Sequence, residues 1–294
     1  MRKEVIIGFE NKDLTCYFWD EVKKPKAVVQ IIHGMQEHAK RYSNFAEFLN
    51  KNGYIVFASD LRGHGETAGN VMDLGHTNGD IFKEIVSDQV IITQKLKEQY
   101  NLPVYVLGHS FGSFIAQRYV QVCNLSDKVV ICGSAYTNTL LMKAANIIAH
   151  LTGLFKGNHA TAKLIEKLSF GSYAKQFEDG NWLCSDNQVF LDYKADPYCG
   201  TPFPACFYKS MFKNITKNYK DLKLITPEQK IMLIAGTNDP VGGKNASLVK
   251  KLYNVYTKNK VKVELKLYEN DKHEILNGTN KEQVFADVLE FYNN

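Results

Sequence analysis

A hydroxyl, a carboxylate and an imidazole stand far apart in this chain, in an order that suits acyl transfer. The hydroxyl is Ser110, within Gly108-His109-Ser110-Phe111-Gly112, where the apolar run 104–108 gives way to a helical pattern. An attacking oxygen must project from the carboxyl edge of a sheet, and a tight strand–turn–helix bend achieves this. The bend crowds the positions two before and two after the nucleophile, and Gly108 and Gly112 relieve that crowding. The following helix directs its positive N-terminal end at the same point. G-x-S-x-G alone is a weak pattern that a packing turn also satisfies. The strand before it and the helix after it make it informative.

A serine hydroxyl needs a base, and the base needs an orienting acid. On this architecture they follow in the order Ser, Asp or Glu, His. Three histidines follow Ser110. His150 and His159 fall in a helical stretch whose solvated face accounts for them, which leaves His273 in "YENDKHEILN", between the last strand and the last helix. The acid is Asp239 in "IMLIAGTNDPVGG", directly after a strand, where Pro240 and the glycines keep the chain in a loop. A simple turn residue is the alternative for Asp239. Asp271 competes as the acid, but two residues from His273 on one short loop it is poorly placed to reach the imidazole Nδ1. The oxyanion needs donors. The backbone N–H of Phe111 supplies one, and that of Met35, after Gly34 in "IIHGMQEHAKRY", the other. His33, His64 and His109 read as structural braces.

The elements that must position these groups alternate in type. Strands are expected at 4–9, 14–19, 27–32, 54–59, 104–108, 128–133, 230–235 and 261–268, and helices at 42–52, 82–99, 111–122, 245–258 and 281–292. A polar turn makes a hairpin of the first two strands. The middle strands are apolar on both parities, as in strands covered on both faces. This is an α/β pattern: a mostly parallel eight-stranded sheet flanked by helices. The rhythm breaks over 136–209, a mainly helical insertion, so that 1–135 and 210–294 form the core. Its first part has apolar residues at 140, 141, 144, 147, 148, 151 and 155. That stripe either packs on the core or lines an acyl pocket and meets a lipid surface. The aromatic stretch after 171 reads as loop.

The 294 residues suffice for one full core. The net charge of +5 comes from scattered lysines, which argues against nucleic-acid binding. Six cysteines show neither C-x-x-C pairing nor a His/Cys metal spacing, and suit a reducing compartment. With no signal-peptide pattern at the N-terminus and no apolar stretch of spanning length, the expectation is a soluble cytoplasmic protein.

"HGMQEHAKRY", "DLRGHG", "GHSFG", "GTNDPVG" and "HEILN", in that order, resemble the monoacylglycerol lipase and lysophospholipase branch of the α/β-hydrolases, often grouped with serine aminopeptidases. "WLCSDNQVFLDYKADPYCG" resembles the cap segment of its bacterial members, so the likeness spans nearly the whole chain. The resemblance implies a Ser110, Asp239, His273 triad, an oxyanion hole from Met35 and Phe111, and no metal or cofactor. It also implies that Glu37 and Arg41 shape a polar pocket for a glycerol-like leaving group. Two departures stand out: Phe111 where methionine is common, and Cys184-Ser185 where Ser-Arg is usual. The implied substrate is a single-chain lipid ester, a monoacylglycerol or lysophospholipid, met through transient contact of the cap with a membrane surface. A short-chain carboxylesterase is the near alternative. An aminopeptidase would hold its substrate amine with cap carboxylates such as Glu178, Asp179 and Asp186. A non-catalytic binding protein on the same fold usually lacks part of the triad, and all three parts are present. Acyl length, headgroup and oligomeric state leave no mark in the sequence.

Overall fold

The computed structural model describes all 294 residues. The strands are β1 (Arg2–Ile7), β2 (Asp13–Trp19), β3 (Ala27–Ile32), β4 (Tyr54–Ser59), β5 (Val104–His109), β6 (Lys128–Cys132), β7 (Lys230–Gly236) and β8 (Val263–Tyr268). They form one sheet in the order β1-β2-β4-β3-β5-β6-β7-β8. The β1–β2 and β2–β4 pairs are antiparallel, and every pair from β4–β3 to β7–β8 is parallel. The first strand ends two residues earlier than its apolar run, because Phe9–Asn11 forms a 3-10 turn with Glu10 and Asn11 at positive φ.

Neighbouring residues of the central strands serve opposite faces. Val129, Ile131, Leu233 and Ala235 join a core cluster with α2 (Ile81–Tyr100), α3 (Phe111–Val122) and α9 (Ser247–Lys258). Val130, Cys132, Met232 and Ile234 join another with α1 (Ser43–Lys51) and α10 (Lys281–Asn293). Each large aliphatic side chain so buried contributes roughly 1.5–3 kcal/mol. This two-sided covering is why these strands read as continuous apolar runs.

Between β6 and β7 lie α4 (Thr139–Lys156), α5 (Lys163–Leu168), α6 (Phe170–Ala174), α7 (Asn187–Ala195) and α8 (Ala205–Ile215). Asn138 caps α4 by accepting from the Leu140 and Leu141 N–H groups. The apolar stripe of α4 points away from the core: Leu140, Leu141, Ile147, Leu151 and Phe155 are exposed, and Ala149 is the helix's one buried residue. Met142, Ala145 and Ile148 face inward instead. Three helices replace expected loop: the five-residue α6, then α7 and α8. α7 is short and only partly buried, so it carries little periodicity. Within α8, eight of eleven residues are buried against α2 and α4, and its apolar residues recur at 207, 208, 211, 212 and 215; the prolines at 202 and 204 just before it give the stretch its loop-like look. That helix also crosses the expected insertion boundary at 209.

Candidate active site

The chain turns from β5 into α3 at Ser110, which adopts φ 52° and ψ −118°. A non-glycine residue in that region costs about 1–3 kcal/mol and persists only where its surroundings impose it. Here the Ser110 N–H donates to Cys132 O (3.0 Å), and Ser110 O accepts from the Ser113 N–H (2.9 Å). The flanking glycines leave no alternative. A Cβ on Gly108 would lie 2.4 Å from Gly112 O, and one on Gly112 would lie 2.1 Å from Ile32 O.

Beside the elbow, at the ends of β7 and β8, the His273 Nδ1 is 2.9 Å from Asp239 Oδ2, and both residues are buried. The other oxygen of Asp239 accepts from the Val241 N–H (2.9 Å). With Nδ1–H given to the carboxylate, the His273 Nε2 is left as the basic nitrogen. The imidazole rests against Gly133, where a Cβ would meet its Cε1 at 3.2 Å, and Gly133 follows the carbonyl that holds Ser110. Nucleophile and base therefore adjoin the same end of β6. Asp271 is engaged elsewhere, accepting from Ser185 Oγ (3.2 Å) and Asn280 Nδ2 (3.1 Å).

The β3 loop approaches from the other side. A Cβ on Gly34 would stand 3.1 Å from the Ser110 Cβ, so only glycine lets this backbone come so close. Met35 follows it, and Phe111 opens α3, whose first N–H groups have no partner within the helix. His33 braces the loop as a neutral ring: its Nε2 accepts from the Leu61 N–H (2.9 Å) and its Nδ1 donates to Gly34 O (2.7 Å). Burial lowers its pKa to about 4, and that of His64, which donates to Arg62 O, to about 3.

Glu37 and Arg41 face each other rather than an open pocket. Glu37 accepts from the Gly34 N–H (2.6 Å), Tyr42 Oη (2.8 Å) and Arg41 (2.8 Å). Arg41 also makes a two-pronged pair with Glu274 (2.5 and 2.7 Å), and its guanidinium lies over the Tyr193 ring. The hydrogen-bonding capacity expected to serve a glycerol-like group is largely spent within this cluster. His109 completes it: its Nε2 faces His273 O (3.3 Å), and its Nδ1 faces Tyr42 Oη (2.8 Å) and Glu37 (3.3 Å). Tyr42 spends its proton on Glu37, so both sides of the His109 ring meet acceptors, as an imidazolium requires. Burial alone would lower the His109 pKa; the hydrogen bond and charge of Glu37 outweigh it and raise it. Burial opposes ionisation of Glu37 as well, but His109 and Arg41 hold its carboxyl well below the usual range. The Glu37 and Glu274 carboxylates are thus matched by Arg41 and, when it is protonated, by His109, which is what makes the burial tolerable. Through this cluster the loop of Met35 is tied to the loop of His273.

Glu274 was hidden in sequence by its catalytic-looking neighbour. Trp182 was hidden in a stretch without periodicity. Its ring packs on His273 (centroids 5.2 Å) and on Phe170 and Tyr173 (5.6 and 5.3 Å). The segment around it is fastened to the His273 loop: Leu183 O accepts from the Glu274 N–H (2.7 Å) and Asn181 O from Lys272 Nζ (2.6 Å). Of the acids suited to an amine, Asp179 accepts from the Asn181 N–H, Asp186 caps α7, and Glu178 is exposed.

Residues 23–280 match the family described as serine aminopeptidase, S33. The chain belongs to that family of α/β-hydrolases. It is a hydrolase, and its relatives include monoacylglycerol lipases. A monoglyceride lipase homolog of monkeypox virus is 26% identical, covering 98% of this chain and 97% of its own length. Human monoglyceride lipase is 25% identical over 91% of this chain and 82% of its own. Among solved structures, a thermostable carboxyl esterase from Bacillus coagulans in complex with glycerol superposes with a TM-score of 0.89. It is 25% identical and covers 99% of this chain and 97% of its own. No helix of this S33 member is long and apolar enough to cross a membrane.

Proposed function

We propose that this protein is a serine esterase that cleaves single-chain lipid esters, monoacylglycerols or lysophospholipids, through an acyl-enzyme on Ser110. The observation that carries the reading is the 2.9 Å Asp239–His273 pair set beside the strained Ser110 elbow. Ser110 Oγ attacks the ester carbonyl as His273 Nε2 takes its proton, and Asp239 stabilises the imidazolium. The N–H groups of Met35 and Phe111 receive the oxyanion, each worth roughly 3–4 kcal/mol. His273 then protonates the departing alcohol, and water, activated by the same base, releases the acid. Glu37 and Arg41 act in this scheme by holding the Gly34–Met35 turn in place.

A lipid substrate is favoured by the face that the proposed cap, 136–209, turns to solvent. Leu140, Leu154 and Phe155 are 75–78% exposed, with Leu164 and Leu168 of α5 also exposed. Such a surface suits shallow, transient contact with a lipid interface. The names of the relatives, monoglyceride lipases among them, support the same substrate class. A short-chain carboxylesterase is the second reading, favoured by the carboxyl esterase superposition.

The test is a hydrolysis panel of monoacylglycerols, lysophospholipids, short esters and aminoacyl arylamides, run on wild type and Ser110→Ala. Turnover should rise with acyl length on the lipid esters, and Ser110→Ala should lose both turnover and fluorophosphonate labelling. Activity that peaks at acetyl esters and collapses beyond butyryl would select the second reading. Labelling that survives in the variant would move the nucleophile elsewhere.

A further inference from the structure

Three side chains unused by acyl transfer meet where the insertion touches the β3 loop. His38 lies three residues beyond Met35, Asp196 directly follows α7, and Cys199 stands in the turn after it. One potential ligand atom from each, an imidazole nitrogen, a carboxylate oxygen and a thiol sulfur, lie within 4.8 Å of one another. His38 is 6% exposed and Cys199 7%, while Asp196 reaches solvent. A histidine–aspartate hydrogen bond accounts for part of this, since His38 Nε2 is 2.8 Å from Asp196 Oδ2. It gives the adjacent Cys199 sulfur no role.

We propose that His38, Asp196 and Cys199 form a binding site for a divalent transition-metal ion, Zn²⁺ by preference, that fastens the insertion to the oxyanion loop. The donor set carries the choice of ion. A thiolate with an imidazole selects Zn²⁺ over the oxygen-seeking Mg²⁺ and Ca²⁺, and the carboxylate completes three protein ligands. Charge agrees: a Cys199 thiolate and the Asp196 carboxylate together neutralise a dication. The nearby Arg41 does not oppose it, because Glu37 and Glu274 already balance that guanidinium. Donors at about 2.0–2.3 Å in a tetrahedron stand roughly 3.3–3.8 Å apart, so the His38–Asp196 contact opens by about half an ångström and a pair at the 4.8 Å limit of the cluster closes by about 1 Å. Exposure of Asp196 provides the entry path and room for a water in the fourth position. Binding displaces the Cys199 thiol proton, so affinity rises with pH. Since Asp196 and Cys199 come from the insertion and His38 from the β3 loop, the ion adds a cross-link to segments already joined by the Gly200 N–H to Gln36 O (3.0 Å) and Gln36 Nε2 to Glu166 (2.9 Å) hydrogen bonds.

The site is tested with the intact protein, independently of esterase activity. Apo protein titrated with Co²⁺ should show a thiolate-to-metal charge-transfer band and the visible bands of a tetrahedral centre, saturating at one ion per chain. Zn²⁺ should erase both and raise the melting temperature. Cys199→Ser should abolish the charge-transfer band, whereas Cys206→Ser, a part-exposed cysteine outside the cluster, should keep it. His38→Asn and Asp196→Asn should each weaken Zn²⁺ binding about tenfold or more. Circular dichroism checks that each variant is folded, and Asp196→Asn, at a partly exposed position, guards against loss of Cys199→Ser to misfolding. No charge-transfer band in wild type, a band that persists in Cys199→Ser, or a melting temperature indifferent to Zn²⁺ would overturn the proposal.

Discussion

The carboxyl edge of the sheet and the inserted helices α4–α7 obey different rules. At the edge every position is over-determined. Gly108, Gly112 and Gly34 have no room for a Cβ, the Ser110 backbone is held in a strained region, and the charged residues beneath it are paired. On α4 a single residue is buried, and leucines face water. Reaction chemistry is rigid and specific where packing dictates geometry. The exposed face of α4 carries no such constraint. Variants at the edge should therefore cost far more than variants in the insertion.

The largest effect is expected at the acid. Asp239→Asn should leave the fold intact and lower kcat by about 10⁴-fold, because the amide holds His273 in the wrong tautomer. Steady-state rates set beside an unchanged circular dichroism spectrum check this. Next comes the buried ion cluster. Glu274→Gln leaves Arg41 half-paired and should cost about 3–5 kcal/mol in urea unfolding. A cost below 1 kcal/mol would mean that the edge is less constrained than its geometry indicates.

The dependence of stability on pH sharpens the same contrast. His33 and His64 have folded pKa values of about 4 and about 3, below the unfolded value near 6.5. Over that interval the unfolded chain binds more protons, so stability should fall as pH drops below 6.5 and go on falling toward about 3. Each ring contributes up to about 1.4 kcal/mol per pH unit. His109 runs the other way. Its folded pKa is raised by Glu37, so its contribution is complete below 6.5 and is lost as pH climbs through the folded value. Unfolding free energies measured across pH should show both limbs, and His109→Gln should remove the alkaline one alone. The smallest effect on stability belongs to the insertion. Leu140→Ser with Leu154→Ser should change stability by less than about 0.5 kcal/mol per site. The pair should also lower turnover on vesicle-borne substrate several-fold while sparing a soluble short ester.

The same contrast governs what could be read in advance. The elbow was legible because steric exclusion writes itself as glycine at fixed offsets from Ser110. The central strands were legible because burial on both faces leaves unbroken apolar runs such as "VVIC" at 129–132. Asp239 and His273 followed from chain order. α8 escaped because the prolines at 202 and 204 before it read as loop, and α7 because so little of it is buried. The stripe on α4 was real, but periodicity reports only that a face exists. Its direction depends on what lies opposite. Glu274 and Trp182 act through partners more than eighty residues away in the chain, and no local pattern records such pairings.

The tether between Asn181–Ser185 and the loop of His273 has a mechanical consequence. The Trp182 ring packs on His273, and the segment that carries it is bonded to the loop on either side of that histidine. A substitution that shifts Trp182 therefore strains the seat of the imidazole as well, so cap and sheet edge are mechanically one piece at this point.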